Sequence, residues 1–153
     1  VTERGFFAIG IERCKTGQNL GSLWRSAYLN NASFIFTVGR RYSLKKDVGI
    51  ADTVKAWRSI PLMHFDTVDH LIEGLPYSTP LIGIELDDRA KMLSEFTHPE
   101  RGCYVLGSED HGLSKEMISR CHSLVKLPGT MSMNVACAGA IVMYDRFTKR
   151  EQK

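Results

Sequence analysis

The sequence predicts an α/β domain, a mostly parallel sheet flanked by helices. Short apolar runs of strand length alternate with helical segments along the whole chain, the pattern of parallel strands joined by helical crossovers. Glycine-punctuated loops follow apolar runs, as in Val105-Leu106-Gly107-Ser108, and ligands of open α/β sheets sit at such carboxyl-end loops. A chain of 153 residues, 43% hydrophobic and 24% charged, is expected to fold as one domain (1–153) with a real core.

Strands are expected at residues 6–11, 34–38, 62–65, 81–86, 103–106 and 124–127, each an apolar run between helical or polar segments. The first helix, 18–30, carries Leu20, Leu23, Trp24, Ala27 and Tyr28 at helical spacing, an apolar stripe that reads as core. Arg25 sits off that stripe, and Asn30-Asn31 can supply the left-handed cap usually given to glycine. Shorter helices are expected near 68–73, 90–96 and 115–121, and a long final one from about 134 to 149. Residues 40–59 are the least legible, with Arg40-Arg41 and Lys45-Lys46 ahead of a helix-compatible run through Trp57.

Composition excludes several classes. No apolar run has the length and continuity of a membrane span, and the opening Val1-Thr-Glu-Arg-Gly-Phe-Phe7 has no signal-peptide core. Cys14, Cys103, Cys121 and Cys137 form no C-x-x-C pair and meet no histidine at zinc spacing. Reduced thiols in a cytoplasmic protein, without metal, are expected. The net charge of +3, from 20 basic and 17 acidic side chains, is compatible with RNA without arguing for it.

Three segments carry the chemistry: Asn19-Leu-Gly-Ser-Leu-Trp-Arg-Ser-Ala27, Val105-Leu-Gly-Ser-Glu-Asp-His-Gly-Leu-Ser114, and Leu127-Pro-Gly-Thr-Met-Ser-Met-Asn134 running into the last helix. Gly107 and Gly112 allow close backbone approach and positive φ. Asn134, with Ser132 two residues ahead, is of the type that satisfies the amides of a helix start. There is no G-x-G-x-x-G fingerprint and no P-loop. The glycine loop therefore suits a ligand held by backbone amides, such as an adenosine. By themselves the same residues also read as plain turns and caps.

Together and in this order, the three segments resemble the signature motifs of the SpoU/TrmH branch of the SPOUT RNA methyltransferases, over essentially the whole chain. The resemblance implies a C-terminal deep trefoil knot whose loops hold S-adenosyl-L-methionine. It also implies methyl transfer to the ribose 2′-hydroxyl of tRNA or rRNA. Carried onto this sequence, it implies cofactor contacts from Ile84, Glu85, Leu86, Gly107, Glu109, Leu127, Ser132, Met133 and Asn134. Catalytic roles fall to Arg25, Asn19, Glu109, Ser132 and Asn134. Arginine keeps its proton above pH ~12, so Arg25 is expected to stabilise the developing alkoxide and hold the adjacent phosphate rather than act as a base. Asn19 is expected to orient Arg25 or the ribose, and Glu109 to order the loop or meet Arg25. His111 is read as a bystander, and His64, His70, His98 and His122 are given no role.

The resemblance further implies a homodimer that packs the first and last helices across its interface. No appended RNA-binding domain is seen in this chain, so it is expected to recognise RNA itself, which favours an exposed tRNA loop. Arg4, Arg13, Lys15, Arg40, Arg41, Lys45 and Lys46 are candidates for a phosphate-binding edge, and the tail 149–153 reads as a frayed helix end. The sequence departs from the family pattern in a short loop between Pro128 and Ser132, in Met133 for a common Leu, and in Ala136 for a frequent Ser. Two alternatives stay open: a SPOUT-type enzyme acting on a base nitrogen, and a catalytically weak RNA-binding or assembly factor on the same fold.

Overall fold

The computed structural model describes residues 5–41 and 56–151. Among the described residues seven strands are formed: β1 (Phe6–Glu12), β2 (Phe34–Val38), β3 (Leu62–Phe65), β4 (Leu81–Ile84), β5 (Lys91–Met92), β6 (Arg101–Leu106) and β7 (Ser123–Lys126). All pair in parallel, in the order β3-β2-β1-β6-β4-β7-β5. The helices are α1 (Gly17–Leu29), α2 (Val68–Gly74), α3 (Lys115–Arg120) and α4 (Val135–Glu151).

Alternate residues of each strand feed opposite faces. Phe7, Ile9 and Ile11 of β1 share one cluster with Leu20, Leu23 and Trp24 of α1 and Val142 and Met143 of α4. Ala8 and, from β2, Phe36 join Val68 and Leu71 of α2 and Met117 of α3 in a second cluster. The sheet is thus covered on both sides, and each fully buried Leu or Ile contributes about 2 kcal/mol. Helix α4 lies close on α1, and a Cβ at Gly139 would come within 2.5 Å of Leu23 Cδ1.

Local chemistry sets the helix ends. Thr16 caps α1, its hydroxyl accepting from the Asn19 amide at 3.3 Å, so the cap is not Asn19. Asn31 takes a positive φ of 64° just past α1, the left-handed ending expected of this Asn pair. Ser114 caps α3, and the buried carboxylate of Glu12 accepts from both its amide (2.8 Å) and its hydroxyl (2.5 Å).

Three expectations are corrected. The segment 90–96 is not a helix: Lys91 and Met92 add an edge strand to β7, and Leu93–Glu95 form one 3-10 turn closed by Phe96 N to Leu93 O at 3.1 Å. Leu93 and Phe96 stand three apart, a spacing that serves one tight turn as well as a helix, and no capping side chain opens the turn. The strand from 81 stops at Ile84 instead of Leu86, because beyond it the chain bends into a loop braced by its own Glu85. The tail is not frayed at Lys149, whose ammonium donates to Leu93 O and Phe96 O and pairs with Asp145 at 2.8 Å. Arg4, Lys45 and Lys46 lie outside the described residues.

A buried polar network ties α4 to β6. Arg146 donates to the Tyr104 hydroxyl oxygen at 3.1 Å, leaving that hydroxyl to donate to His98 Nδ1 at 2.8 Å. His98 Nε2 then donates to Asp145 at 2.7 Å. This is the neutral imidazole with its proton on Nε2, a tautomer set by its partners. Burial pulls the His98 pKa below its usual 6.5, against the opposing pull of Asp145, while Arg146 and Lys149 add to the lowering.

Candidate active site

The carboxyl ends of β4, β6 and β7 open into a cleft of about 580 Å³, counting its mouth. Ile84, Glu85 and Leu86 form one wall, Leu106–Glu109 and Gly112 another, and Leu127, Pro128 and Met131–Met133 a third. Val135 and Ala138 of α4 close the floor. Apolar side chains dominate and a few polar groups converge, the usual make-up of a small-molecule site.

The loop after β6 depends on its two glycines. A Cβ at Gly107 would overlap the backbone of Gly112 and Leu113, and Gly112 itself has φ +65°. The Gly112 amide donates to Ser108 O at 2.8 Å, closing a tight turn. The carboxylate of Glu85 spans two loops: Oε2 accepts from Leu113 N at 2.6 Å and Oε1 from Leu86 N at 3.1 Å. Ser108 is 5% exposed at the cleft wall, and its hydroxyl lies near enough to the Asp110 carboxylate to help hold it ionised.

Beside the cleft three distant side chains meet. Asn134 Oδ1 accepts from the amides of Ala136 (3.0 Å) and Cys137 (3.2 Å), capping α4. That fixes the amide orientation, so Nδ2 faces outward and donates to Asn19 Oδ1 at 3.0 Å and Glu109 Oε1 at 2.8 Å. Asn19 Nδ2 donates to the same Glu109 oxygen at 3.0 Å. The first turn of α1, the loop after β6 and the start of α4 are thereby joined. Arg25 is half-buried on α1, six residues beyond Asn19, roughly 9 Å along the axis at 1.5 Å per residue.

Of the residues expected at a cofactor, Ile84, Glu85, Leu86, Gly107, Glu109, Leu127, Ser132 and Met133 all line the cleft; Asn134 lies just outside it, holding Glu109. Arg25 is not among the lining residues. Sequence reasoning did not name Leu106, Ser108, Gly112, Pro128, Met131, Val135 or Ala138 as contacts, although all stand within or next to the three segments.

It also missed Arg41 and Asp110 as a pair. Arg41 Nη1 and Nη2 grip both Asp110 oxygens at 2.9 and 2.8 Å, while Nε and Nη2 donate to Arg13 O at 3.1 and 2.9 Å. The Arg41 guanidinium holds the Asp110 carboxyl well below the usual carboxylate range. Lys15 and His111 approach the same carboxylate at 4.0 and 3.5 Å. Arg13, Lys15 and Arg40 are exposed along this edge. Among the described residues no group of His, Cys, Asp and Glu could hold a metal ion. No helix among them is long and apolar enough to cross a membrane.

Comparison with known proteins matches residues 7–144 to the SpoU rRNA Methylase family. Over 138 residues the chain is 26% identical to a Staphylococcus haemolyticus (strain JCSC1435) protein assigned to the TrmH family of tRNA/rRNA methyltransferases, a match that takes in 88% of this chain and 55% of that one. The chain thus spans about half the length of the curated relatives it matches. Among solved structures, the SpoU methyltransferase AviRb from Streptomyces viridochromogenes, in complex with the cofactor AdoMet, superposes with a TM-score of 0.85 at 20% identity, covering 99% of this chain and 60% of that chain. A structure described as giving insight into 2-OH methylation of C/U34 on tRNA superposes with a TM-score of 0.84 at 19% identity, covering 98% of this chain and 94% of the other. At these identities the likeness is one of fold.

Proposed function

The chain belongs to the SpoU rRNA Methylase family, and on that footing we propose that it transfers the methyl group of S-adenosylmethionine to a ribose 2′-hydroxyl of tRNA or rRNA. The observation that carries this reading is the joining of Asn19, Glu109 and Asn134 beside a glycine-looped cleft. Each comes from a different one of the three motif segments, and the bonds that join them go beyond the capping of α4 by Asn134.

The cleft suits the cofactor. Ile84, Leu106, Leu127, Val135 and Ala138 offer an apolar slot, and Gly107, packed against the backbone of Gly112 and Leu113, keeps the loop that walls it tight. S-adenosylmethionine supplies, when bound, an electrophilic methyl group on a sulfonium. The protein's part is then placement: Glu85 braces both loops that wall the slot, and the apolar floor excludes water. Asn19 and Asn134 fix the Glu109 carboxylate, which favours the positively charged end of the cofactor. Ser132, exposed at the mouth, and Asn19 orient the ribose. The hydroxyl gives its proton to solvent water as its oxygen takes the methyl group; Arg25 stabilises the developing alkoxide and holds the neighbouring phosphate, an electrostatic contribution added to alignment.

The run from β6 to α4 is read as a deep trefoil knot. In support, the chain leaving β6 must pass its neighbour β4 to form β7 on the far side. The enzyme is read as a homodimer, because Tyr28, Leu29, Ile141, Tyr144 and Phe147 leave large apolar surfaces on α1 and α4. Arg13, Lys15 and Arg40 are read as contacts to RNA phosphates. A cytoplasmic setting is read from the tRNA or rRNA substrate, in keeping with the match to TrmH-family tRNA/rRNA methyltransferases. The C/U34 reaction named for a neighbour of nearly the same extent makes tRNA the first RNA to try. Labelled methyl transfer from S-adenosylmethionine to unmodified tRNA and rRNA transcripts, by wild type and Arg25→Ala, tests the proposal. Transfer by wild type alone supports it, and transfer undiminished in the variant removes Arg25 from the mechanism.

A further inference from the structure

The pairing of Arg41 with Asp110 is expensive in donors for a surface contact. At the surface, the guanidinium commits Nε, Nη1 and Nη2 to the protein's own acceptors, with two bonds to the carboxylate and two to the Arg13 carbonyl. A two-pronged Arg–carboxylate contact fixes orientation as well as charge. Both ends of the contact are themselves pinned. The Arg41 amide donates to Cys14 O at 3.0 Å, and the Arg13 amide to Val38 O at 2.7 Å, so Arg41 rides on the turn that leads from β1 into α1. Arg13 there holds a positive φ of 51°, the sparsely populated conformation that turns its carbonyl to serve as the second anchor. At the other end, Asp110 is the immediate neighbour of Glu109, on the loop that walls the cleft.

We propose that Arg41 is a positioning residue for the cofactor: by clamping Asp110 to the β1–α1 turn it holds the Gly107–Gly112 loop where Glu109 can meet both Asn19 and Asn134. The clamp and the three-residue junction form one circuit. The turn carries Thr16 and Asn19 on one side and Arg13 on the other, and the loop answers with Glu109 and Asp110. Other bonds on the loop, Gly112 N to Ser108 O and Leu113 N to Glu85, set its turn, and Glu12 at the end of β1 holds Ser114 just beyond it, but none of these reaches Asp110 or Glu109. The clamp has a second effect. It neutralises the carboxylate next to Glu109, which would otherwise present two adjacent negative charges to an incoming phosphate. Arg41 therefore does not belong with Arg13, Lys15 and Arg40 as a phosphate contact, and works through Asp110 instead. The proposal rests on reading the cleft as the S-adenosylmethionine site.

The test uses the full chain with Arg41→Ala, Asp110→Ala, the double variant, Arg41→Lys, and the exchange R41D/D110R. Calorimetric titration with S-adenosylmethionine reads affinity, and amide hydrogen exchange at Gly112 and Leu113, without cofactor, reads the loop. Each single variant is expected to weaken binding about tenfold, and the double variant no further than either single, since the two act as one unit. Arg41→Lys keeps the charge without the fork and recovers only part, while the exchange variant recovers more than either single. Protection at Gly112 and Leu113 falls in the singles, and the KM for RNA stays where it was. An Arg41→Ala protein with unchanged cofactor affinity, unchanged protection and a raised KM for RNA overturns the proposal and makes Arg41 a phosphate contact. If wild type takes up no S-adenosylmethionine, the cofactor reading fails separately. Exchange then decides the clamp: lost protection upholds the hold on the loop, and unchanged protection overturns it.

Discussion

Asn134 reaches Glu109 across 2.8 Å, and that single bond connects the start of the last helix to the loop that walls the cleft. It exists because the other end of the same amide is committed to capping α4. One side chain therefore serves stability and site geometry at once, and substitutions can separate the two.

Asn134→Ala is expected to cost about 1 kcal/mol of stability, the usual value of a lost helix cap, and to reduce methyl transfer by roughly a hundredfold. Asn134→Asp keeps a capping oxygen but turns a donor into a second carboxylate facing Glu109. Denaturant melts should then change less than for Ala, while S-adenosylmethionine affinity falls at least as far. Equal affinity in Asp and wild type would remove the junction from cofactor binding.

Arg25→Ala should lower kcat by about 10²–10³, the scale of losing one preorganised group aimed at developing charge. Its thermal midpoint should move little by comparison. Arg25→Lys should recover only part of the rate, because an ammonium lacks the planar fork. Steady-state rates on one RNA with saturating cofactor make the comparison.

Gly112→Ala meets two obstacles. Its φ of +65° disfavours any side chain, and the new Cβ would stand 2.6 Å from Glu85 Oε2. The strain should cost roughly 1–3 kcal/mol, and cofactor affinity should fall with it. Thermal melts in the presence and absence of S-adenosylmethionine would show both.

His98 predicts a pH dependence of stability. Its folded pKa lies below 6.5 because burial disfavours the imidazolium, so below pH ~6.5 the unfolded chain binds the proton that the folded one refuses. Stability should be full above that pH and decline as the pH falls toward the folded value. Urea melts from pH 8 to pH 5 would show the decline, and His98→Gln should flatten it while lowering stability throughout.

Tyr144 and Phe147 are 64% and 48% exposed on α4. If they cover a second copy, Tyr144→Glu with Phe147→Glu should halve the solution mass by light scattering and leave the helical signal intact. An unchanged mass would remove these two residues from the interface.

Much of the fold was legible because it rests on local pattern. The runs at 34–38 and 62–65 have strands at the same bounds: Phe34–Val38 is β-branched and aromatic throughout, while Leu62–Phe65, without a β-branched residue, is held by its pairing with β2. Of the stripe read as core, Leu20, Leu23, Trp24 and Ala27 are buried as their spacing demands, but Tyr28 is 40% exposed, because it stands in the last turn of α1, past the sheet that covers the others. What failed was short and at the edge: Lys91–Met92 is a strand only because β7 lies beside it, a fact with no trace in a two-residue run. In the site, the motif segments named most of the cleft wall, because backbone-lined loops advertise themselves through glycine. The clamp between Arg41 and Asp110 was hidden. It joins residues 69 apart, and Arg41 alone looks like any arginine in a basic loop. His98 was passed over for the same reason, its partners lying on β6 and α4.

The measurement that tests the account most directly is the position of the transferred methyl on the nucleotide. RNA methylated by wild type with labelled S-adenosylmethionine would be hydrolysed in alkali, which cannot cleave next to a blocked 2′-oxygen. Label is expected in alkali-resistant dinucleotides, accumulating about 10²–10³ times more slowly with Arg25→Ala. Label released in mononucleotides with a modified base would contradict it, assigning the cleft to an enzyme that methylates base nitrogen.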